Sequence, residues 1–334
     1  MFNYETNWQK ELASAIKDPQ HLVKLLNLDE SHWQTSFSAR KLFAMQVPRP
    51  FVARMKAGDP NDPLLLQVMT QADEFLKVEG YQKDPLAEHQ SVLPGLLHKY
   101  QSRVLLMVRG GCAINCRYCF RRHFPYQDNV FKRSDMQAIK DYVLAHPDIN
   151  EVVLSGGDPL MANDQHLSWL FAELAQLKQL TRIRIHTRLP VVIPQRITPQ
   201  LSRLLANHSQ KVVMVLHINH ANEINTWVKD AFAALRQPNV TLLNQATLLN
   251  KVNDTVTAQV ALSEALFAAG ILPYYLFLLD KVEGAAHFDC DEDKVGQLQA
   301  GMLKALPGFL VPKIAREVAG LASKSPIMFK TQAS

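Results

Sequence analysis

The chain has 334 residues, 47% of them hydrophobic and 20% charged, with a formal net charge of +5. That apolar content can bury a sizeable core and excludes a disordered chain, and the length suits two or so domains or one large barrel with an extension. The mild basicity falls short of the footprint of a nucleic-acid binder; anionic small molecules would satisfy it as well.

Met1 to Pro19 carries charged and polar residues throughout, with neither the apolar core of a signal peptide nor a cleavage site. No transmembrane stretch follows, so the sequence predicts a cytoplasmic protein with no membrane partner. Residues 7–16 place Trp8, Leu12 and Ile16 on one helical face, and the Asp18-Pro19 step stops that helix. Short helices are predicted over 21–28 and 37–45, after which Pro48, Pro50, Pro60 and Pro63 interrupt any long element. Residues 1–95 therefore read as a helical layer of little functional content.

After Pro94 the pattern becomes strands over 103–109, 151–154, 182–186, 211–217, 240–244 and 272–279. They alternate with amphipathic stretches such as 135–145, 165–177 and 256–269. Such βα units predict an α/β fold, an incomplete (βα)6 TIM-like barrel over 96–310, followed by a C-terminal segment over 311–334. In parallel barrels the active site sits at the C-terminal ends of the strands.

The first of those ends runs from Gly110 to His123 and holds three of the four cysteines, Cys112, Cys116 and Cys119, spaced C-x3-C-x2-C. Four thiolates normally hold a 4Fe–4S cluster, so three leave one iron open to a small molecule. Few cysteines, most in one tight group, indicate a metal site in a reducing compartment instead of disulfides. Zinc on the same cysteines with His123 is the alternative, although structural zinc staples small modules and this loop lies in a long α/β chain. Cys290 lies among Asp289, Asp291, Glu292 and Asp293, whose charges disfavour a thiolate.

The second strand ends in Ser155-Gly156-Gly157-Asp158, where glycines let a backbone approach a ligand closely. The third ends at His186-Thr187-Arg188, the fourth at His217-Ile218-Asn219-His220 and the fifth at Asn244-Gln245. For each histidine a structural hydrogen-bonded role weighs as much as a catalytic one.

The cysteine spacing, with Tyr118 just before the third cysteine, resembles the radical S-adenosylmethionine (SAM) enzymes. There the open iron is chelated by SAM and a glycine pair contacts its amino group, which implies cofactor binding by Ser155, Gly156, Gly157 and Asp158. The resemblance then narrows to lysine 2,3-aminomutase. It is carried by His98-Lys99-Tyr100 and by residues 112–124, 155–160, 188–198, 217–223, 244–254, 273–288 and 311–326. The block from Gly110 to Tyr126 is most similar to the short branch that makes β-lysine for elongation factor P.

This resemblance implies an isomerase that converts L-α-lysine to (R)-β-lysine with a second cofactor, pyridoxal 5′-phosphate (PLP). It casts Lys324, in Gly320-Leu321-Ala322-Ser323-Lys324-Ser325-Pro326, as the Schiff-base lysine; by itself Lys324 reads as a solvated surface lysine. Lys99, Arg103 and Arg188 are implied at the PLP phosphate, and Arg121 at the substrate carboxylate. Without the resemblance Arg117, Arg121 and Arg122 read as a basic patch, some of it balancing cluster charge. Asp280 and Glu317 are implied at the ε-ammonium of lysine, whereas Glu317 beside Arg316 would otherwise read as an exposed helix charge. The implied partners are L-lysine, a reductant such as flavodoxin, and elongation factor P with its β-lysine ligase, with no nucleic acid. Homo-oligomerisation is open: the chain stops ten residues after Lys324, without the extension longer relatives use for dimer contacts. Competing functions are a glutamate or arginine aminomutase, a radical SAM activase without PLP, and a zinc-stabilised nucleic-acid-binding protein.

Overall fold

Aliphatic runs that end in polar residues form the strands of a single nine-stranded sheet, and the strands follow one another in sequence order. The computed structural model describes residues 4–89 and 91–327. The strands are β1 (Leu96–Tyr100), β2 (Arg103–Arg109), β3 (Glu151–Gly156), β4 (Arg182–Thr187), β5 (Lys211–Leu216), β6 (Val240–Thr247), β7 (Leu272–Phe277), β8 (Lys313–Arg316) and β9 (Ser325–Pro326). From β2 to β8 all neighbours are parallel, while β1 and β9 are antiparallel to their neighbours and form the two edges. The sheet is an incomplete, TIM-like barrel.

The six expected strands are β2 to β7; β2 has the expected bounds, and the C-terminal ends of the other five are shifted by one to three residues. β1, β8 and β9 lie outside the expectation, because runs of two to five residues are too short for a period-2 signal to emerge. Helices Met136–Ala145, Asp164–Ala175 and Val256–Ala268 match the predicted amphipathic stretches; the last two are capped by the side chains of Asn163 and Thr255. Every residue of β3 is buried, as expected of a central parallel strand. On β4, Ile183 and Ile185 join the core, while Arg184 and His186, alternating with them, line the interior cavity.

At the N-terminus the helix spans Trp8–Ala13 under an Asn7 cap, shorter than expected because Ile16 leaves it to pair with Val47. A second helix covers Pro19–Leu25, and the predicted 37–45 helix is reduced to a 3-10 turn, Phe37–Lys41. Trp8, Leu22, Trp33 and Phe51 belong to the same buried cluster as the barrel residues Leu154, Ile185 and Leu276. No helix among the described residues is long and apolar enough to cross a membrane.

Candidate active site

A cavity of about 270 Å3 opens at the C-terminal ends of the parallel strands and reaches down the barrel interior to Arg184 on β4 and Arg103 at the start of β2. Cys112, Cys116, Cys119, Arg121, Ser155, Gly156, Gly157, Asp158 and Arg188 line it, together with Lys99, Arg103, Asp280, Glu317 and Lys324. The residues expected at the cluster, the cofactors and the substrate thus reach one space, although the chain separates Lys99 from Lys324 by more than two hundred residues, whereas Arg117, Arg122, His123, Asn219, His220, Asn244 and Cys290 do not line it.

The cysteine loop is pinned by the N-terminal region. Gln46 Nε2 donates to the carbonyls of Cys112 (2.9 Å) and Ala113 (3.2 Å), and the Arg117 N–H donates to Gln67 O at 2.9 Å. Arg117 is fully buried and donates to Glu74 through Nε at 2.9 Å and through Nη2; Arg122 Nη2 reaches the same carboxylate at 2.7 Å. These two arginines are therefore internal pins and form no solvated basic patch, since a charge this buried persists only when paired.

Glycines dock the β3 end against that loop. The Gly157 N–H donates to Arg109 O at 2.7 Å and the Asp158 N–H to Gly111 O at 3.0 Å. A Cβ on Gly156, whose φ is +127°, would lie 2.3 Å from Arg109 O, and one on Gly157 2.4 Å from Gly111 O. The Asp158 carboxylate accepts from Thr187 Oγ1 (2.7 Å) and from the N–H groups of Leu160, Arg188 and Leu189 (3.0, 2.8 and 2.9 Å). Both its oxygens are committed to strapping the β3 end to the β4 end, which leaves the glycine backbone as the part open to a ligand.

All three loop cysteines are free thiols. Burial pushes the Cys112 thiol far up and the Cys119 thiol to about 11, and the neighbouring cysteines add to both shifts. Bound iron reverses that balance, so the donor set fits a cluster. Among the described residues no three His, Cys, Asp or Glu side chains gather around a point where one metal ion could sit. A cluster instead takes one thiolate per iron, which spreads its ligands apart. His123, the expected fourth zinc ligand, has Nε2 3.3 Å from Glu283 O.

Behind Cys116 lies a buried polar network. Arg188 Nη1 stands 2.8 Å from Cys116 Sγ and 2.7 Å from the Tyr118 hydroxyl, while Nη2 reaches Gln67 Oε1 (2.7 Å) and Glu223 Oε2 (3.0 Å). His217 Nδ1 lies 2.9 Å from the Gln245 carbonyl, an acceptor only, so Nδ1 carries the proton and Nε2 accepts from the Tyr118 hydroxyl at 2.8 Å. Burial, with Arg188 nearby, pushes His217 down to about 4 and keeps it neutral. Asn219 Nδ2 donates to the same hydroxyl at 2.7 Å. Tyr118 is thus clamped from several directions.

At the other end of the cavity, β8 and β9 form a hairpin in which Ala315 faces Pro326 and Arg316 faces Ser325. The turn passes through Gly320 at φ +81° and sets Lys324 opposite Glu317, with Nζ 2.5 Å from Oε2. Lys99 Nζ and the Tyr100 hydroxyl each lie 3.0 Å from Glu317 Oε1, and Lys324 Nζ stands 4.4 Å from the Phe277 ring centroid. Lys324 is only 16% exposed and Glu317 14%, so one is no surface lysine and the other, just past a strand, no exposed helix charge. Burial raises the Glu317 carboxyl, but Lys324 and Lys99 outweigh it and hold it at about 2. Asp280 is pushed up to about 7 by burial and by the charge of Glu317. An interior amine with Lys99 and Arg103 lining the same space fits the donor set that PLP requires.

The three cations expected at a phosphate are not gathered around one point. Lys99 bonds to Glu317 and Glu88, the Arg103 guanidinium stacks 4.1 Å from the Tyr100 ring centroid, and Arg188 is held at the cysteine end. Glu88 and Gln67 had no signal in the sequence, while Tyr100 and Glu223 lay in segments that carry the resemblance but were given no role. Glu88 lies in an irregular stretch after Pro85, where Ala87 takes φ 52° and no periodicity exists to read.

The radical SAM superfamily matches residues 107–239. L-lysine 2,3-aminomutase of Escherichia coli (strain K12) is 51% identical, over 96% of this chain and 94% of its own. The L-lysine 2,3-aminomutase of Haemophilus influenzae is also 51% identical, over 96% of this chain and 95% of its own. That of Clostridium subterminale is 32% identical, over 96% of this chain and 78% of its own.

Proposed function

Because this chain belongs to the L-lysine 2,3-aminomutase family and carries a radical SAM domain, we propose that it converts free L-α-lysine to (R)-β-lysine. Cys112, Cys116 and Cys119 would hold a 4Fe–4S cluster, the Gly156–Gly157 backbone would meet SAM, and Lys324 would carry PLP. When bound, the cluster and SAM supply a carbon radical for hydrogen removal, and PLP supplies the π-system that stabilises the substrate radical while nitrogen moves to the adjacent carbon.

The observation that carries this reading is that Arg121, next to the cysteines, and the carboxylates of Asp280 and Glu317, beside Lys324, line the same cavity. Arg121 suits a carboxylate because its guanidinium stays charged and donates hydrogen bonds to an anion. Asp280 and Glu317 suit an ammonium, and they repel the second carboxylate of glutamate. Held at both ends, the substrate is a free amino acid with its β-carbon between the cysteines and Lys324. The chain's own contribution is to orient and to exclude water, and no residue is needed as a base for hydrogen removal.

In this reading Lys99 and Arg103, which line the cavity, would hold the PLP phosphate. Arg188, the third cation implied there, would reach it only by giving up its contact with Cys116. The product leaves for a ligase that attaches it to a lysine of elongation factor P in the cytoplasm, and a reductant of the flavodoxin type supplies the electron. Anaerobic enzyme loaded with iron, SAM and PLP should convert lysine in preference to arginine and leave glutamate untouched. Preference for glutamate or arginine would overturn the substrate assignment.

A further inference from the structure

We infer that Glu88 is a positioning residue that fixes the orientation of Arg121 for the substrate carboxylate and couples it to Lys99; this rests on the aminomutase reading above. Glu88 is 4% exposed and its two oxygens are divided between two cations. Oε2 accepts from Arg121 Nε at 2.6 Å and Oε1 from Lys99 Nζ at 3.0 Å. Arg121 is held on a second edge as well, since Nη1 donates to Ser155 Oγ and to the Gly156 carbonyl, both at 3.1 Å. With Nε and Nη1 taken, the guanidinium plane cannot turn, and among the described residues Nη2 has no hydrogen-bond partner. That donor is left for a ligand, and Glu88 fixes its direction.

The bridge is itself rigid. Asp84 accepts from the N–H groups of Glu88 (2.9 Å) and His89 (3.0 Å), which locks the loop backbone. Charge argues in the same direction. Arg121 is buried, and among the described residues its other protein acceptors are neutral and Glu88 is its one ionic partner, so without Glu88 the cation would swing toward another. Glutamine at this position is isosteric but offers one acceptor to two cations, and its NH2 would face either Arg121 or Lys99. Misplacing an orienting group by about 1 Å costs on the order of a hundredfold in rate, so a contact one residue removed from the substrate can matter.

The test compares wild type, Glu88→Gln and Glu88→Ala, each loaded with iron and PLP and kept without SAM so that no turnover occurs. Equilibrium dialysis would measure labelled L-lysine and, separately, 1,5-diaminopentane, which keeps the ammonium groups but has no carboxylate. In both variants lysine should bind roughly tenfold or more weakly while the diamine binds as to wild type, and the loss should vanish in an Arg121→Lys background. Unchanged or tighter lysine binding overturns the inference, as does equal loss of lysine and diamine, which would mark Glu88 as merely structural. Failure of wild type to bind lysine at all would instead remove the aminomutase reading.

Discussion

Lys324 Nζ lies 2.5 Å from Glu317 Oε2, so the amine implied for PLP and a carboxylate implied for the substrate are hydrogen-bonded partners. One β-hairpin makes this contact, seven residues separating the two along the chain. Under the proposed function Glu317, already beside the Lys324 and Lys99 amines, would also meet the substrate ammonium.

Lys324→Ala should abolish turnover yet leave iron content and SAM binding largely intact, because the hairpin and the cysteine loop are separate parts of the fold. Borohydride reduction of the PLP-loaded wild type, followed by peptide mapping, should find the pyridoxyl label on Lys324. A label on another lysine would refute the assignment.

Asp280 gives the pocket a pH dependence. Its carboxyl is raised to about 7 whereas Glu317 stays ionised, so as pH falls through 7 the proposed ammonium site would lose one of its two anions. If only the ionised form binds, lysine should bind roughly tenfold more weakly at pH 6 than at pH 8. Asp280→Asn should flatten that slope and, by removing one partner of a desolvated pair, weaken lysine binding by about 2–5 kcal/mol with little effect on SAM. Titration calorimetry over this pH range checks both.

Ligand identity separates the four cysteines. Cys290 does not line the cavity, and burial together with Asp254 pushes its thiol up to about 12. Cys290→Ser should leave iron per chain and the brown cluster absorbance unchanged, whereas Ser at position 112, 116 or 119 should lose both. A variant series with the opposite pattern would reassign the cluster.

The glycines give a contrast within one loop pair. Gly157→Ala puts a Cβ against the Gly111 carbonyl, where backbone must shift, and should cost about 1–3 kcal/mol and lower SAM affinity. Gly111→Ala meets nothing within 4 Å and should be close to silent. Thermal melts and SAM titrations of the two variants decide the point.

Much of this was legible in the sequence because it is local. The Cys112–Cys119 spacing lies on one loop, the aliphatic runs of β2 to β7 carry their own signal, and strand ends mark the site in any parallel barrel. What was not legible depends on distant segments meeting. Glu74 neutralises Arg117 and Arg122 from a 3-10 turn forty residues upstream, which turns an apparent surface patch into buried pins. Glu317 and Lys324 look exposed until β8 and β9, too short to detect, fold them inward. Glu88 has no pattern of its own and acquires a role only from the two cations it meets.

The most direct measurement follows nitrogen. Free L-lysine labelled with 15N at the α-amino group and 13C at the α- and β-carbons, incubated anaerobically with the loaded enzyme, SAM, PLP and reductant, should yield β-lysine in which 15N is bonded to the β-carbon by nuclear magnetic resonance. Label remaining on the α-carbon of free lysine, with transfer seen only when lysine is already attached to elongation factor P, would contradict an aminomutase that grips both ends of a free amino acid.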